Sequence, residues 1–301
     1  MNQVNPTAPK QVTVKAHITL FLFMLYFFLV VPYVLHPLLD VIGLTSSTAG
    51  AVVISGFFNI LPLLVYLLIT RQRPSTILPA SPLGVKNGLY VVGATLAVNF
   101  IVLFVNIGHF NTLFNDVAAV PTDMPGIGSL FIYLIAFGFL SATFEELWFR
   151  GPIYVEYQKR GVSIWKVALI SGLLFGIVHT GIVQISSTTA IGVIWAVMLY
   201  YTRSIWAPIL GHIAFNSLNI LLNPGFYIND YAVYWDNVQT FALIYGIAIL
   251  VTIPVSVLCM RKIILNNPRE KEAAASETKL FTLGYWALIV LMIVIAVLLR
   301  I

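Results

Sequence analysis

The chain has 301 residues, of which 59% are hydrophobic and 9% are charged, and its mean hydropathy is +0.94. Soluble domains carry roughly a quarter charged residues, so this composition excludes a soluble globular protein and predicts a polytopic membrane protein. The net charge of +5 does not indicate nucleic-acid binding, because in such a chain the position of Lys and Arg matters more than their sum. The single cysteine, Cys259, excludes a disulfide within the chain and a cysteine-based metal cluster.

Apolar segments of about 17–24 residues, near the length needed to cross a bilayer, follow one another along the chain. They cover residues 17–36, 48–70, 88–107, 128–150, 163–180, 184–201, 204–222, 238–260 and 281–300. The first lacks an obvious small-residue cleavage site, so we interpret it as an uncleaved span and not as a signal peptide. The sequence therefore predicts an all-α polytopic membrane protein with about nine transmembrane helices.

The loops between these segments alternate in charge. Lys and Arg precede the first segment and follow the second, fourth, sixth and eighth, whereas the opposite loops hold five Asp and no Lys or Arg. The positive-inside rule then predicts a cytoplasmic N-terminus and an external C-terminus. We expect an integral protein of a bacterial plasma membrane, with residues 266–279 as a polar cytoplasmic linker.

Three ionisable residues interrupt the fourth segment, in the stretch SATFEELWFRG at 141–151. Ionisable groups inside a span usually face a protein interior or a water-filled cavity. Glu146 and Arg150 are four residues apart and share one helix face, so a structural ion pair explains both. Glu145 points about 100° away around the helix. We expect its partner to lie on another span.

Two histidines are candidate partners for Glu145. GLLFGIVHT (172–180) places His179 deep in the fifth segment, and GHIAFNSLN (211–219) places His212 in the seventh, on one face with Asn216. If the fourth helix continues to a turn at residue 161, Glu145 and His179 stand at similar heights, roughly 24–27 Å above that turn. The remaining histidines lie at segment ends or in a loop and are assigned no chemistry: His17, His36 and His109.

The fifth segment also carries a small-xxx-small pair, Gly172 and Gly176. Such a pair lets two membrane helices approach closely. We expect it to bring this segment against the helix that carries Glu145.

These groups suit hydrolysis within the membrane. A carboxylate can deprotonate water, a histidine beside it can orient that water, and a His–Asn pair can donate hydrogen bonds to an oxyanion. A metal variant would use Glu145, His179 and His212 as ligands with water as the fourth, although the HExxH helix of many metalloproteases is absent. Two alternatives stay open: a proton-coupled transporter, since buried Glu and His also serve proton relays, and a non-catalytic membrane scaffold or immunity protein.

Three motifs carry a family resemblance. EELWFR fits EExxxR, FGIVH fits FxxxH, and HIAFN fits HxxxN, in that order along the chain. The chain thereby resembles the CPBP family of intramembrane proteases, which includes type II CAAX prenyl endopeptidases and bacteriocin-processing or immunity (Abi) proteins. The resemblance covers about residues 128–222 and assigns roles to six residues. It implies that water is activated by Glu145 and His179, the oxyanion is stabilised by His212 and Asn216, and the site is supported by Glu146 and Arg150.

The resemblance implies an intramembrane endopeptidase acting on a membrane-associated protein or peptide, in CAAX-type or bacteriocin-related processing or immunity. Its partners are that substrate and the lipid bilayer, with no nucleic acid, and its cofactor is either a divalent metal such as zinc or none. We divide the chain into three parts around an intramembrane catalytic cavity. They are an N-terminal part of three spans (1–127), a catalytic core of four spans (128–222), and a C-terminal part of a loop, two spans and the linker (223–301).

Overall fold

The structure is a computed structural model that describes residues 18–44, 59–109, 127–159, 162–179, 182–222 and 237–269, with isolated positions in 50–56 and 286–294. Within these residues the regular secondary structure is helical, apart from one isolated antiparallel bridge between Ala80 and Ser204. The helices are α1 (Ile18–Val41), α2 (Asn59–Thr70), α3 (Pro74–Ile77), α4 (Val85–His109), α5 (127–158), α6 (Ile164–Ile177), α7 (Ile182–Thr202), α8 (Trp206–Leu222) and α9 (Val238–Asn266).

Five described helices are long and apolar enough to cross a membrane, namely α1, α4, α5, α7 and α9. Helices α2, α6 and α8 are apolar but shorter. The prediction of an all-α polytopic membrane protein is confirmed. The predicted segment 281–300 and the first half of 48–70 lie largely outside the described residues, as does His17.

Helix α5 is continuous but not uniform. Two π-helical sections, Leu134–Ser141 and Phe149–Ile153, flank an α-helical section, Ala142–Trp148, that carries both glutamates. Pro152 lies in the second π section, where a wider turn is expected because proline lacks an N–H and clashes with the carbonyl one turn earlier. The helix continues to Gln158 and does not end at residue 150, so the glutamates lie in its interior.

Close packing positions the helices that surround α5. Helix α8 packs against its 134–148 region, α2 against its 142–148 section, α6 along α7, and α9 along α4. The expected partner of the glycine pair was wrong, because both glycines face α7. A Cβ on Gly176 would lie 2.7 Å from the carbonyl oxygen of Ile185, and one on Gly172 would lie 2.8 Å from that of Thr189.

The fifth apolar segment forms a shorter helix than predicted. Helix α6 ends at Ile177, and His179 follows it in a turn, with its backbone N–H bonded to the Gly176 carbonyl at 3.0 Å. The sequence placed His179 deep in the fifth span, whereas the structure places it just beyond the end of α6. A straight helix of this length extends roughly 21 Å, less than the roughly 30 Å of a bilayer's hydrocarbon core. His179 follows the end of α6 and is partly buried.

Candidate active site

A cavity of about 580 Å³ lies among α1, α2, α4, α5, α7, α8 and the end of α6. Four predicted site residues line it, namely Glu145, His179, His212 and Asn216. The other two, Glu146 and Arg150, are fully buried and lie outside its lining. The structure thus brings the four together and separates the adjacent glutamates, as their different helix faces require.

Glu145 is the carboxylate that reaches the cavity, and 18% of its side chain is exposed. Its Oε1 accepts a hydrogen bond from the hydroxyl of Ser141, one turn earlier on α5. The same Oε1 lies 3.5 Å from Nδ2 of Asn59 on α2. Asn59 Nδ2 also donates to Ser141 Oγ at 3.1 Å. Asn59 is a partner on another helix, as expected, and Ser141 is a partner on the same helix, which was not expected. The four-residue spacing to Ser141 is visible in the sequence, whereas the approach of Asn59 is not.

His212 is held in one orientation by its neighbours. Its Nδ1 lies 2.9 Å from Oε1 of Glu146. Because a carboxylate only accepts, the ring donates there, and in a neutral imidazole Nε2 is then an acceptor. That Nε2 lies 3.9 Å from Oε2 of Glu145. Trp195 stacks on the ring at a centroid distance of 4.3 Å and an angle of 26°, so the ring cannot turn without displacing the indole.

Glu146 and Arg150 form the predicted ion pair, with 2.9 Å between Oε2 and Nε. The Nη2 group of Arg150 donates to the Gly192 carbonyl at 2.9 Å, and its guanidinium carbon lies 4.9 Å from the ring centre of Phe175. Glu146 therefore contacts Arg150 with one oxygen and His212 with the other. The pair is confirmed, and the link to His212 adds a second task, the orientation of a cavity-lining imidazole.

His179 follows α6 and packs against the ring of Phe175. Its Nδ1 lies 2.8 Å from the Phe175 carbonyl oxygen, so it donates to its own helix end. The Phe175 ring is 4.9 Å from the His179 ring and 5.4 Å from the His212 ring. The ring of Phe175 therefore contacts both imidazoles.

The side chain of Asn216, on α8, is bonded to α5 through one of its two N–H groups. Nδ2 donates to the Phe137 carbonyl at 2.8 Å, in the first π section of α5. A carboxamide nitrogen has two hydrogens, so one remains for a further acceptor. Asn219, almost one turn further along α8, lines the same cavity and extends the polar face that the HxxxN spacing predicts.

Comparison with known proteins finds similarity in the part of the chain that carries this site. Residues 127–218 match the family described as Rce1-like, type II CAAX prenyl endopeptidase Rce1-like. A Bacillus subtilis (strain 168) protein named "Putative membrane peptidase YdiL" is 29% identical over 92 residues, which are 30% of this chain and 37% of that protein. Both findings are similarities of part of this chain to membrane peptidases. The match spans little more than a third of the length of the Bacillus subtilis protein. No solved structure matches this chain.

Residues 127–218, which are similar to this family and are called the CPBP segment for that reason, contain all six predicted site residues. The metal variant would require Glu145, His179 and His212 to surround one ion. In the part of the chain that the structure describes, no group of three or more His, Cys, Asp or Glu is placed to hold a metal ion. Glu145, His179 and His212 share a cavity without forming such a ligand cluster.

The cavity has two chemically different walls. Helix α1, which precedes the CPBP segment, supplies an apolar wall that includes Phe27, Val31 and Leu35. Helix α7 supplies hydroxyl and amide groups, among them Gln184 and Thr188. His36, which was assigned no chemistry from the sequence, also lies in the lining. Side-chain placement at His109 is outside the described residues.

Proposed function

We propose that the protein is an intramembrane endopeptidase that hydrolyses a peptide bond in a membrane-associated protein or peptide. The observation that supports this most strongly is the facing pair of acceptors, Glu145 Oε2 and His212 Nε2, 3.9 Å apart in the cavity. The gap is too long for a direct hydrogen bond, but it suits one water that donates to both groups. A water held in this way is oriented and polarised before the substrate arrives.

Glu145 acts as general base in this proposal. As the water oxygen bonds to the scissile carbonyl carbon, one water proton passes to Glu145 Oε2. When the C–N bond breaks, that proton moves to the leaving nitrogen and the carboxylate is regenerated. The water oxygen and its second hydrogen stay on the new carboxyl group, so the step balances without a redox partner or a metal.

His212 accepts the second water hydrogen bond, and Glu146 with Arg150 keeps its Nδ1 protonated and its Nε2 directed at the water. Asn216 donates its second N–H to the oxyanion of the tetrahedral intermediate, where a fixed dipole stabilises charge as it develops. His212 thereby takes a place at the water and not the oxyanion role implied by the family resemblance, because its Nε2 lies 3.9 Å from Oε2 of Glu145. His179, which contacts the Phe175 ring, also lines the cavity.

The two walls suggest the form of the substrate. An apolar wall from α1 suits side chains that come from a lipid environment, and polar groups on α7 and α8 suit an exposed peptide backbone, which must be hydrogen-bonded inside a membrane. We propose an extended, unwound segment of a membrane-associated protein or peptide, in CAAX-type or bacteriocin-related processing or immunity. Quantitative mass spectrometry of membrane peptides from cells with the wild type and with Glu145→Gln would identify it.

The decisive variant is Glu145→Gln, which keeps the shape of the side chain but removes the base. We expect cleavage to fall at least 100-fold, on the order of the contribution of a positioned general base, with unchanged expression and thermal unfolding. Glu156→Gln is the matched control, because Glu156 is a buried carboxyl on the same helix that contacts Tyr66 and Gln72 outside the cavity. Full activity in Glu145→Gln, or equal loss in both variants, would refute the proposal.

The same assay tests the choice of a glutamate mechanism over a metal one. Because no step above uses a metal, we expect cleavage to persist after prolonged chelation, and zinc to leave the rate of the chelated enzyme unchanged. Loss of activity on chelation with recovery on zinc addition would instead favour Glu145, His179 and His212 as metal ligands.

We also propose that the N-terminus is cytoplasmic. The bridge between Ala80 and Ser204 and the contact of Arg269 with Tyr200 bring three basic loop regions to one end of the bundle, as the positive-inside rule requires of cytoplasmic loops. In a variant without Cys259, a cysteine at Arg73 should react with a membrane-impermeant thiol reagent in inside-out vesicles and not in intact cells. The reverse pattern would invert the orientation.

A further inference from the structure

We infer that Ser141 and Asn59 are positioning residues for Glu145: they hold its Oε1, and thereby make Oε2 the oxygen that receives the proton. The inference rests on the proposed endopeptidase function. It adds to the motif residues a serine one turn before the EExxxR motif and an asparagine from a helix outside the CPBP segment.

The three side chains form a chain of hydrogen bonds at the cavity wall. Asn59 Nδ2 donates to Ser141 Oγ at 3.1 Å, and the Ser141 hydroxyl donates to Glu145 Oε1. Asn59 Nδ2 also lies 3.5 Å from the same carboxylate oxygen. Both donors therefore lie on one side of the carboxyl group. Oε2 is left facing His212 Nε2, which is the direction in which the proposed water lies.

Hydrogen bonds are needed to orient the carboxylate, because rotation about the last side-chain torsion of glutamate is weakly restricted. The last torsion of a glutamate is broad and roughly two-fold, so a carboxyl group facing a cavity would otherwise present either oxygen. Ser141 is nearly buried, with a relative exposure of 8%, and its position on α5 is fixed. Hydrogen bonds to a carboxylate are among the stronger ones in proteins, so two donors on one oxygen define the plane of the group.

Helix packing brings Asn59 to this position. Gly56, three residues before α2 begins, lies so close to α5 that a Cβ there would be 3.3 Å from Leu140 Cδ1. The approach of α2 to α5 thus places the carboxamide beside the Ser141 hydroxyl. The orientation of the proposed base depends in this way on a contact between a helix inside the CPBP segment and one that precedes it.

The test compares Ser141→Ala, Asn59→Leu and the double variant in a cleavage assay with the full-length protein in lipid vesicles. Misplacement of a reacting group by about 1 Å can lower a rate by 10²-fold. We expect each single variant to lower kcat by roughly 10- to 100-fold with little change in KM. Because both residues act on one oxygen, we expect the double variant to be little worse than the worse single variant. Ser141→Thr, which keeps the hydroxyl, should recover much of the rate.

Two matched controls separate positioning from general packing. Ser171→Ala removes a fully buried hydroxyl that contacts the Phe149 carbonyl, and Asn87→Leu removes a carboxamide that pairs with Asn267. We expect both to keep kcat within about two-fold of wild type, even where thermal unfolding shifts, because neither touches Glu145. Wild-type kcat in Ser141→Ala and Asn59→Leu would overturn the inference, as would losses that follow the unfolding temperature alike in controls and variants.

Two further outcomes have distinct meanings. Covalent labelling of Ser141 by a fluorophosphonate, with complete loss in Ser141→Ala, would make Ser141 a nucleophile and overturn the positioning role. If the wild type cleaves no membrane substrate, the proposed function fails, and infrared spectra then test the inference alone. The carboxylate bands assigned by Glu145→Gln should shift in Ser141→Ala and stay in place in Ser171→Ala; unshifted bands in both would overturn it.

Discussion

Glu146 is the residue through which the buried charges act on the cavity. Its two oxygens lie 2.9 Å from Arg150 Nε and 2.9 Å from His212 Nδ1. A single side chain thus neutralises a cation inside the apolar bundle and fixes the proton of an imidazole that faces the cavity. Stability and chemistry can be separated here, because a buried ion pair can be replaced by apolar groups, whereas the acceptor for His212 cannot.

Arg150→Met should therefore destabilise the protein strongly, since it leaves Glu146 as an unpaired buried carboxylate, at a cost of about 3–5 kcal/mol. The double variant Glu146→Leu with Arg150→Met should recover much of the unfolding temperature and still cleave poorly, because His212 loses its acceptor. Thermal unfolding and cleavage in detergent measure the two effects. Arg261→Met is the control, because Arg261 is exposed on α9; wild-type cleavage by the double variant would refute the orienting role.

The residue-scale prediction from sequence succeeded where a motif spans one helical turn. The Glu146–Arg150 pair and the exposure of Glu145 on another face follow from 3.6 residues per turn. The helical repeat does not predict contacts between different helices. The bond from Glu146 to His212 and the approach of Asn59 depend on how α8 and α2 pack on α5, and a single sequence contains no period or spacing that encodes such packing.

Helices α6 and α7 pack together as a pair. Phe175 lies on α6, His179 follows the end of α6, and Trp195 lies on α7. The contact between the two helices depends on glycine, because a Cβ on Gly176 would lie 2.0 Å from Thr189 Oγ1 and 2.7 Å from the Ile185 carbonyl oxygen. The serious contact is the backbone carbonyl, which cannot turn aside as a side chain can. Hydropathy assigned Gly172 and Gly176 to the correct helix but does not indicate which neighbouring helix they face. It also predicted that the fifth segment continues past Ile177, because the following residues are apolar.

Gly176→Ala should push α6 away from α7 and displace His179 and Phe175 from the cavity. We expect a lower unfolding temperature and a loss of cleavage, measured on the same preparation. Gly246→Ala is the matched control on α9, where a Cβ would find its nearest neighbour, Phe104, at 3.8 Å. There the change should be neutral or stabilise the helix by up to about 1 kcal/mol. If both variants behaved alike, the proposed close approach of α6 and α7 would be wrong.

At the scale of the whole molecule, the CPBP segment is embedded among helices that lie outside it. Helix α1 supplies one wall of the cavity and α2 supplies Asn59. Helix α4 packs on α8, and α9 packs along α4. The division into 1–127, 128–222 and 223–301 remains a prediction about sequence units, whereas the cavity is built jointly by the first two of them. Sequence patterns located the motif residues but could not reveal this sharing.

The packing of α9 on α4 can be tested by a single substitution, because the chain has one cysteine. A Cβ at Gly93 would lie 3.6 Å from the Cβ of Cys259 and 2.6 Å from its sulfur. Cβ atoms joined through a disulfide are about 3.5–4.5 Å apart. Hydrogen bonds at the same contact join Ser256 Oγ to the Gly93 carbonyl at 3.0 Å and to the Ala97 N–H at 3.1 Å.

Gly93→Cys should accordingly form an intramolecular disulfide with Cys259 when membranes are treated with a lipid-soluble oxidant such as iodine. The expected readout is the loss of both thiols to a maleimide label, with recovery after reduction, in protein of unchanged monomeric size on a gel. Gly246→Cys lies on the same helix as Cys259, with Phe104 as its neighbour, and both of its thiols should remain reactive. Thiols that stay labelled in oxidised Gly93→Cys, or equal loss in both variants, would show that α9 does not pack on α4 in this register.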